Sequence, residues 1–222
     1  MIKKMLFKKF PLAAGVACAL LAAAVISSCS KDDEDRFKDF VTFGDTKLSL
    51  AAIQLFYDGS PSEDPETNEM VYRNEAVFTP SSVYMTVDGT HATPHGEGSV
   101  MSLQFNSTSE NLEPGTYTYT DDEEDHAPFH IWSGEVALNF NFETRTGEHY
   151  VITAFSMTVK DDTQANAPQP QPPGKDVIAN FEGTAYPATL DGDGSILGPN
   201  LSAVPVNIKG QYSGHAWPYE LD

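Results

Sequence analysis

Cysteine, basic residues and long apolar runs are all scarce in this chain, and each shortage removes a class of protein. Only two of its 222 residues are cysteine, Cys18 and Cys29. Cys18 lies inside an N-terminal apolar stretch that reads as a cleaved signal, so the mature chain keeps one thiol and no internal disulfide forms. Stability then has to come from burial, and the 194 residues that follow position 28 are enough to build a core. Thirteen Lys and Arg stand against 32 Asp and Glu, a formal charge of −19; removing residues 1–28 takes away four lysines and no acid, which carries it to −23. So acidic a surface repels a phosphate backbone, and nucleic acid is excluded as an expected partner. Beyond the first 28 residues there is no apolar run long enough to span a bilayer, no heptad pattern and no convincing amphipathic helix.

What is present begins with the leader. Lys3, Lys4, Lys8 and Lys9 precede an almost wholly apolar run from Leu12 to Ile26. This is the charged region and apolar region of a secretory signal, shorter than the roughly 20 residues of a membrane helix. The run ends in Ile26-Ser27-Ser28-Cys29, which resembles the lipobox of bacterial lipoprotein precursors. The resemblance implies cleavage after residue 28, acylation of Cys29 as the mature N-terminus, and a membrane partner reached through lipid. The following Ser30, Lys31, Asp32, Asp33 and Glu34 are too polar to pack and read as a solvated tether over 29–40. They also resemble the acidic export signal of surface-exposed lipoproteins of the Bacteroidetes, which implies an outer-membrane location with the domain facing outward; a plain spacer is the competing reading.

From residue 41 to 222 the patterning indicates a single all-β domain, an antiparallel sandwich or barrel. Val83, Met85 and Val87 share a parity, as do Met101, Leu103 and Phe105, and Val136, Leu138, Phe140 and Phe142. Period-two alternation of this kind places apolar side chains on one face of a sheet. Lys47 to Tyr57 changes parity near Ala51-Ala52, as a bulge would allow. Tyr150 to Val159 is apolar on both parities and reads as a strand covered on both faces. Glu113-Pro114-Gly115-Thr116 suits a type II turn, Thr144-Arg145-Thr146-Gly147 a hairpin tip, and Asp191-Gly192 a tight turn. The Pro-rich stretch 164–174 is expected to be an extended loop between paired strands. Two further strands are expected at Val177 to Tyr186 and Val204 to Tyr212.

Residues 44–222 are similar to a broad group of small all-β Bacteroidales lipoproteins. The features that carry the likeness are Leu112-Glu113-Pro114-Gly115-Thr116-Tyr117-Thr118-Tyr119, the Ser133-Gly134-Glu135-Val136 entry, and Gly210, Tyr212 and Gly214. The likeness implies a fold and an address, and no chemistry.

Chemical signals are thin. No Gly-x-Ser-x-Gly elbow is present, and the resemblance assigns the single mature cysteine to lipid. His91 and His95, and His126 and His130, have helical metal-site spacing, but Pro94 and Pro128 interrupt both intervals. A loop site of Asp125, His126 and His130 is the remaining metal candidate, and the acidic run 121–125 the remaining Ca²⁺ candidate; ordinary solvated loops explain both. Asp191 to Ser195 begins like an EF-hand loop but places Ile196 and Ser202 where glycine and glutamate are required. Five aromatic residues, Tyr117, Tyr119, Trp132, Trp217 and Tyr219, could stack on sugar rings if they line an exposed face, and packing within a sheet is the alternative. The sequence thus leads to a lipid-anchored, non-enzymatic binding or adhesion module without a cofactor, and as the alternative a glycan-binding or glycan-hydrolysing accessory protein.

Overall fold

The computed structural model describes residues 39–58, 61–64, 68, 70–88, 91–121, 127–163, 173–192 and 194–221. The signal segment 1–28, Cys29 and the export residues Ser30, Lys31, Asp32, Asp33 and Glu34 lie outside these, as do Asp125 and His126. The described strands all fall in one compact unit, Lys38–Asp222.

The chain is all-β. It forms β1 (Phe40–Phe43), β2 (Thr46–Ser49), β3 (Ala52–Asp58), β4 (Ser62–Glu63), β5 (Met70–Thr79), β6 (Val83–Asp88) and β7 (His91–Ser107). It continues with β8 (Gly115–Tyr119), β9 (His130–Asn141), β10 (Thr146–Asp161), β11 (Lys175–Leu190), β12 (Ile196–Pro199) and β13 (Val206–Leu221). The long strands pair in a closed circuit, β3 to β5, β7, β9, β10, β11, β13 and back to β3. Closure removes the open edges through which a sheet would otherwise aggregate.

Two of the pairings, β13 with β3 and β8 with β9, are parallel, so the sheet is mixed where the sequence suggested an antiparallel one. The reason lies in β13, which is long enough to serve two partners along one edge. Residues 208–211 take β1 antiparallel, and residues 216–221 take β3 parallel. The expected single strand from Lys47 to Tyr57 is likewise two, β2 and β3. Leu50 and Ala51 leave the ladder there, and their amides donate to the Asp39 and Thr79 carbonyls.

Inside the circuit lies one continuous core that includes Ile53, Leu55, Phe78, Leu103, Phe105, Tyr117, Ile152, Met157, Phe181 and Ile208. Small residues make room for its rings. A Cβ at Gly210 would sit 2.4 Å from Phe181 Cε2, and one at Gly214 would sit 2.7 Å from the Tyr212 hydroxyl. The Gly-x-Tyr-x-Gly pattern of the sequence is therefore a packing device. Gly115 is similar: it starts β8 without positive φ, under the Phe129 ring, whose Cε1 a Cβ would meet at 2.7 Å. The expected type II turn is not formed, and space rather than backbone freedom requires that glycine.

The other turns form as expected. Arg145 and Gly147 have positive φ at the β9–β10 tip, and the Ser195 amide donates to Asp191 Oδ1 between β11 and β12. Strands β10 and β11 pair down to Asp161 and Val177, so the Pro-rich segment joins neighbouring strands. Lys175, at its far end, donates to Glu113.

Candidate functional site

A second, smaller apolar cluster lies outside the circuit. Phe56, Val77 and Val100 have the parity opposite to the core residues of β3, β5 and β7, and they are covered by the β6–β7 ribbon through Val83, Met85 and Ala92. Ribbon and sheet form a half-open pocket of about 210 Å³ lined by Phe56, Glu75, Val77, Met85, Ala92, Pro94, Val100, Ser102, Glu135, Ala137, Phe142 and His149. A largely apolar pocket with a few converging polar groups is the arrangement in which small ligands are usually held. Phe142 was grouped with Val136, Leu138 and Phe140 on one face by its parity. It lies beyond the end of β9 and turns to this outer cluster, its ring edge-on to Phe140 at 5.0 Å.

The polar groups come from four strands by register. Ser102 on β7 is the partner of Val77 on β5 and of Glu135 on β9, and Ala137 pairs with His149 on β10. Glu75 lies two residues before Val77 on the same face, where Ser102 Oγ donates to its Oε1 at 2.5 Å. Surrounding protein and the Glu75 charge raise the Glu135 carboxyl above its ordinary range, although the side chain keeps a solvent-exposed surface. Burial lowers His149, which favours the neutral imidazole there.

The raised Glu135 carboxyl has a consequence for stability. An acid that holds its proton more tightly in the folded chain than in the unfolded one costs stability once it ionises. That cost is absent below the unfolded value, about 4.3, grows through the folded value and persists above it. Glu135→Gln, which mimics the protonated group, is expected to raise Tm at pH 7 and to lose that advantage near pH 4. Melting both proteins at the two pH values checks this, and a lower Tm for the variant at pH 7 would contradict it.

Beside the pocket runs an aromatic ledge. Trp217 and Tyr219 on β13 are 40% and 37% exposed, share a parity, and pair with Gln54 and Phe56 on β3. Tyr219 stacks on Phe56 at 5.5 Å, so Phe56 belongs to both ledge and pocket. Trp217 packs edge-on against His215 at 4.4 Å. The His215 ring is fixed in turn, with Nε2 donating to the Pro173 carbonyl at 2.8 Å and Nδ1 2.8 Å from Asp176 Oδ1.

The remaining aromatic candidates do not join this face. Tyr117 is fully buried, its hydroxyl donating to the Glu113 carbonyl, and it cannot stack on a ligand. Tyr119 shares its parity and packs against the same core. Trp132 is half-buried, with the Arg73 guanidinium 5.9 Å from its ring. Tyr84, not singled out from the sequence, is an exposed aromatic on the ribbon and stacks on His95 at 5.2 Å. His130 opens β9, and among the described residues no three His, Cys, Asp or Glu side chains come together as a metal site. No family model matches the chain, and neither a curated protein nor a solved structure matches it.

Proposed function

We propose that this chain is a lipid-anchored, non-enzymatic binding module of the outer membrane that holds glycan on the Trp217–Tyr219 ledge. The lipobox-like Ile26-Ser27-Ser28-Cys29 and the acidic Ser30 to Glu34 support the anchor and the outward orientation. The observation that carries the binding reading is the pair of exposed rings. Two residues along a strand lie roughly 7 Å apart on one face, and each ring is braced by a neighbour, Trp217 by His215 and Tyr219 by Phe56. Rings already held in place lose little freedom on stacking against a sugar, which favours affinity.

The same face argues for binding over hydrolysis. Glycosidases set two carboxyl groups on either side of the bond they cut, with room for sugar on both sides of it. Glu75 and Glu135 line the apolar pocket beneath the β6–β7 ribbon, whereas the exposed rings stand on β13, so this pair of carboxyls does not flank the ledge.

The test is a glycan-array screen of the full chain followed by calorimetry on the hits. Trp217→Ala and Tyr219→Ala are each expected to weaken binding by about fivefold, because ring stacking contributes on the order of 1 kcal/mol per contact. Each ring also packs on a neighbour, so both variants should lose some Tm, and binding is compared at a temperature where each remains folded. Glycan binding that both variants leave unchanged would overturn the reading.

A further inference from the structure

The cavity beneath the β6–β7 ribbon is separate from the ledge in its chemistry, and it does not depend on the glycan reading. Its walls are Phe56, Met85, Val100 and Phe142, with Ala92, Pro94 and Ala137 between them, and its ionisable lining groups are Glu75, Glu135 and His149. No Lys or Arg is among the lining residues. Ser102 donates to Glu75, and Glu135 stands across β7 from it, near enough for the Glu75 charge to raise its carboxyl. We infer that this pocket binds a primary ammonium on a short apolar stem, with Glu135 and Glu75 taking the charge and Phe56, Met85 and Phe142 enclosing the stem.

Charge complementarity selects this occupant. An anion would meet two carboxylates and no cation. A neutral apolar molecule would cover carboxylate oxygens that now face water and would supply no donor in its place. A hard metal ion takes six or more oxygen ligands, and the only side-chain oxygens of the lining are those of the two carboxylates and Ser102. An ammonium group satisfies both carboxylates with three donors in a compact head, while its stem replaces water against the apolar walls. About seven water volumes accommodate a molecule of roughly eight heavy atoms.

The electrostatics agree with that choice. Burial and the Glu75 charge both raise the Glu135 carboxyl, and a bound cation offsets the second of these. The titratable groups facing the cavity are Glu75 from β5, Glu135 from β9 and His149 from β10, and the lining residues of β3, β6 and β7 carry none. His149 is held toward its neutral form by burial, so it places little competing charge there at neutral pH. Ammonium binding should accordingly strengthen as pH rises through the titration of Glu135, and weaken in acid.

The ammonium could arrive as a free amine or as a lysine side chain, so two probes are used with the full chain: benzylammonium chloride and the peptide Gly-Gly-Lys-Gly-Gly. Benzyl alcohol serves as the neutral isostere, and binding is followed by the shift of the Met85 methyl resonance. At least one ammonium probe should saturate with an affinity about tenfold or more above that of benzyl alcohol, and the tighter of the two identifies the source. Glu135→Gln and Glu75→Gln should each weaken ammonium binding by about tenfold, as loss of a charge-assisted hydrogen bond implies, while leaving the alcohol unaffected. Ala137→Phe, which fills the cavity from its floor, should abolish binding of every probe. The inference is overturned if neither ammonium probe saturates, if benzyl alcohol binds as well as they do, or if both Gln variants leave ammonium binding unchanged.

Discussion

Tyr117→Ala should lower folding stability by about 3–5 kcal/mol, the usual cost of deleting a fully buried aromatic ring. Tyr117 is wholly inaccessible, and its ring meets Phe105 and Phe129 edge-on at centroid distances of 5.0 and 5.1 Å. It sits on β8, which pairs with β10 on one side and β9 on the other, so the loss falls on a seam of the circuit. Its hydroxyl donates to the Glu113 carbonyl at 3.0 Å, and Glu113 in turn accepts from Lys175 and Ser109 through its carboxylate. Burial opposes ionisation of Glu113, but those two donors outweigh it and hold the carboxyl below its ordinary range. Tyr117→Phe keeps the packing and removes one hydrogen bond, and about 1 kcal/mol is expected for it. Urea unfolding of the three proteins separates the contributions. A loss under about 1 kcal/mol for Tyr117→Ala would mean that the ring is not part of the packed core.

The second large effect concerns the anchor. Cys29→Ala should abolish acyl labelling and move the protein entirely from the membrane fraction to the soluble one. Thioether-linked lipid would have one place to attach, because after residue 28 the chain holds no cysteine besides Cys29. Among the described residues no helix is long and apolar enough to cross a membrane. Stable attachment by lipid takes more than one chain, so a partial effect is not expected. Fractionation of cells expressing either form, with radiolabelled palmitate, reads the result. Membrane retention of the variant with labelling intact would contradict the anchor.

Much of the fold was legible because alternation states which residues share a face. Met101, Leu103 and Phe105 point to one interior, and Val136 and Leu138 meet them there. Alternation does not state which face is covered, and the aromatic residues show the consequence. Tyr117 and Tyr119 do point the same way, but that way is inward, because β8 is wedged between two longer strands. Parallel pairing was invisible for a related reason. The parallel partner of β13 lies more than 150 residues away, at Ala52–Asp58, and nothing local marks it.

The glycines were readable as positions and not as causes. Gly210 and Gly214 stood out in the sequence, while the rings of Phe181 and Tyr212 that need their space became evident only in the folded chain. Trp217 was found because tryptophan is rare here, with only two in the chain. Glu75, Ser102, Glu135 and His149 were not found. Two glutamates among 32 acids carry no signal of their own, and their meeting depends on the register of β5, β7, β9 and β10.

The central claim is that Trp217 and its neighbours on the outer face meet the ligand. With Trp132→Phe in the full chain, Trp217 becomes the sole tryptophan, and its emission reports that face alone. Titration with a glycan selected by the array should shift and saturate this emission with the same Kd that calorimetry measures. Calorimetric binding that leaves the Trp217 emission unchanged would contradict the account.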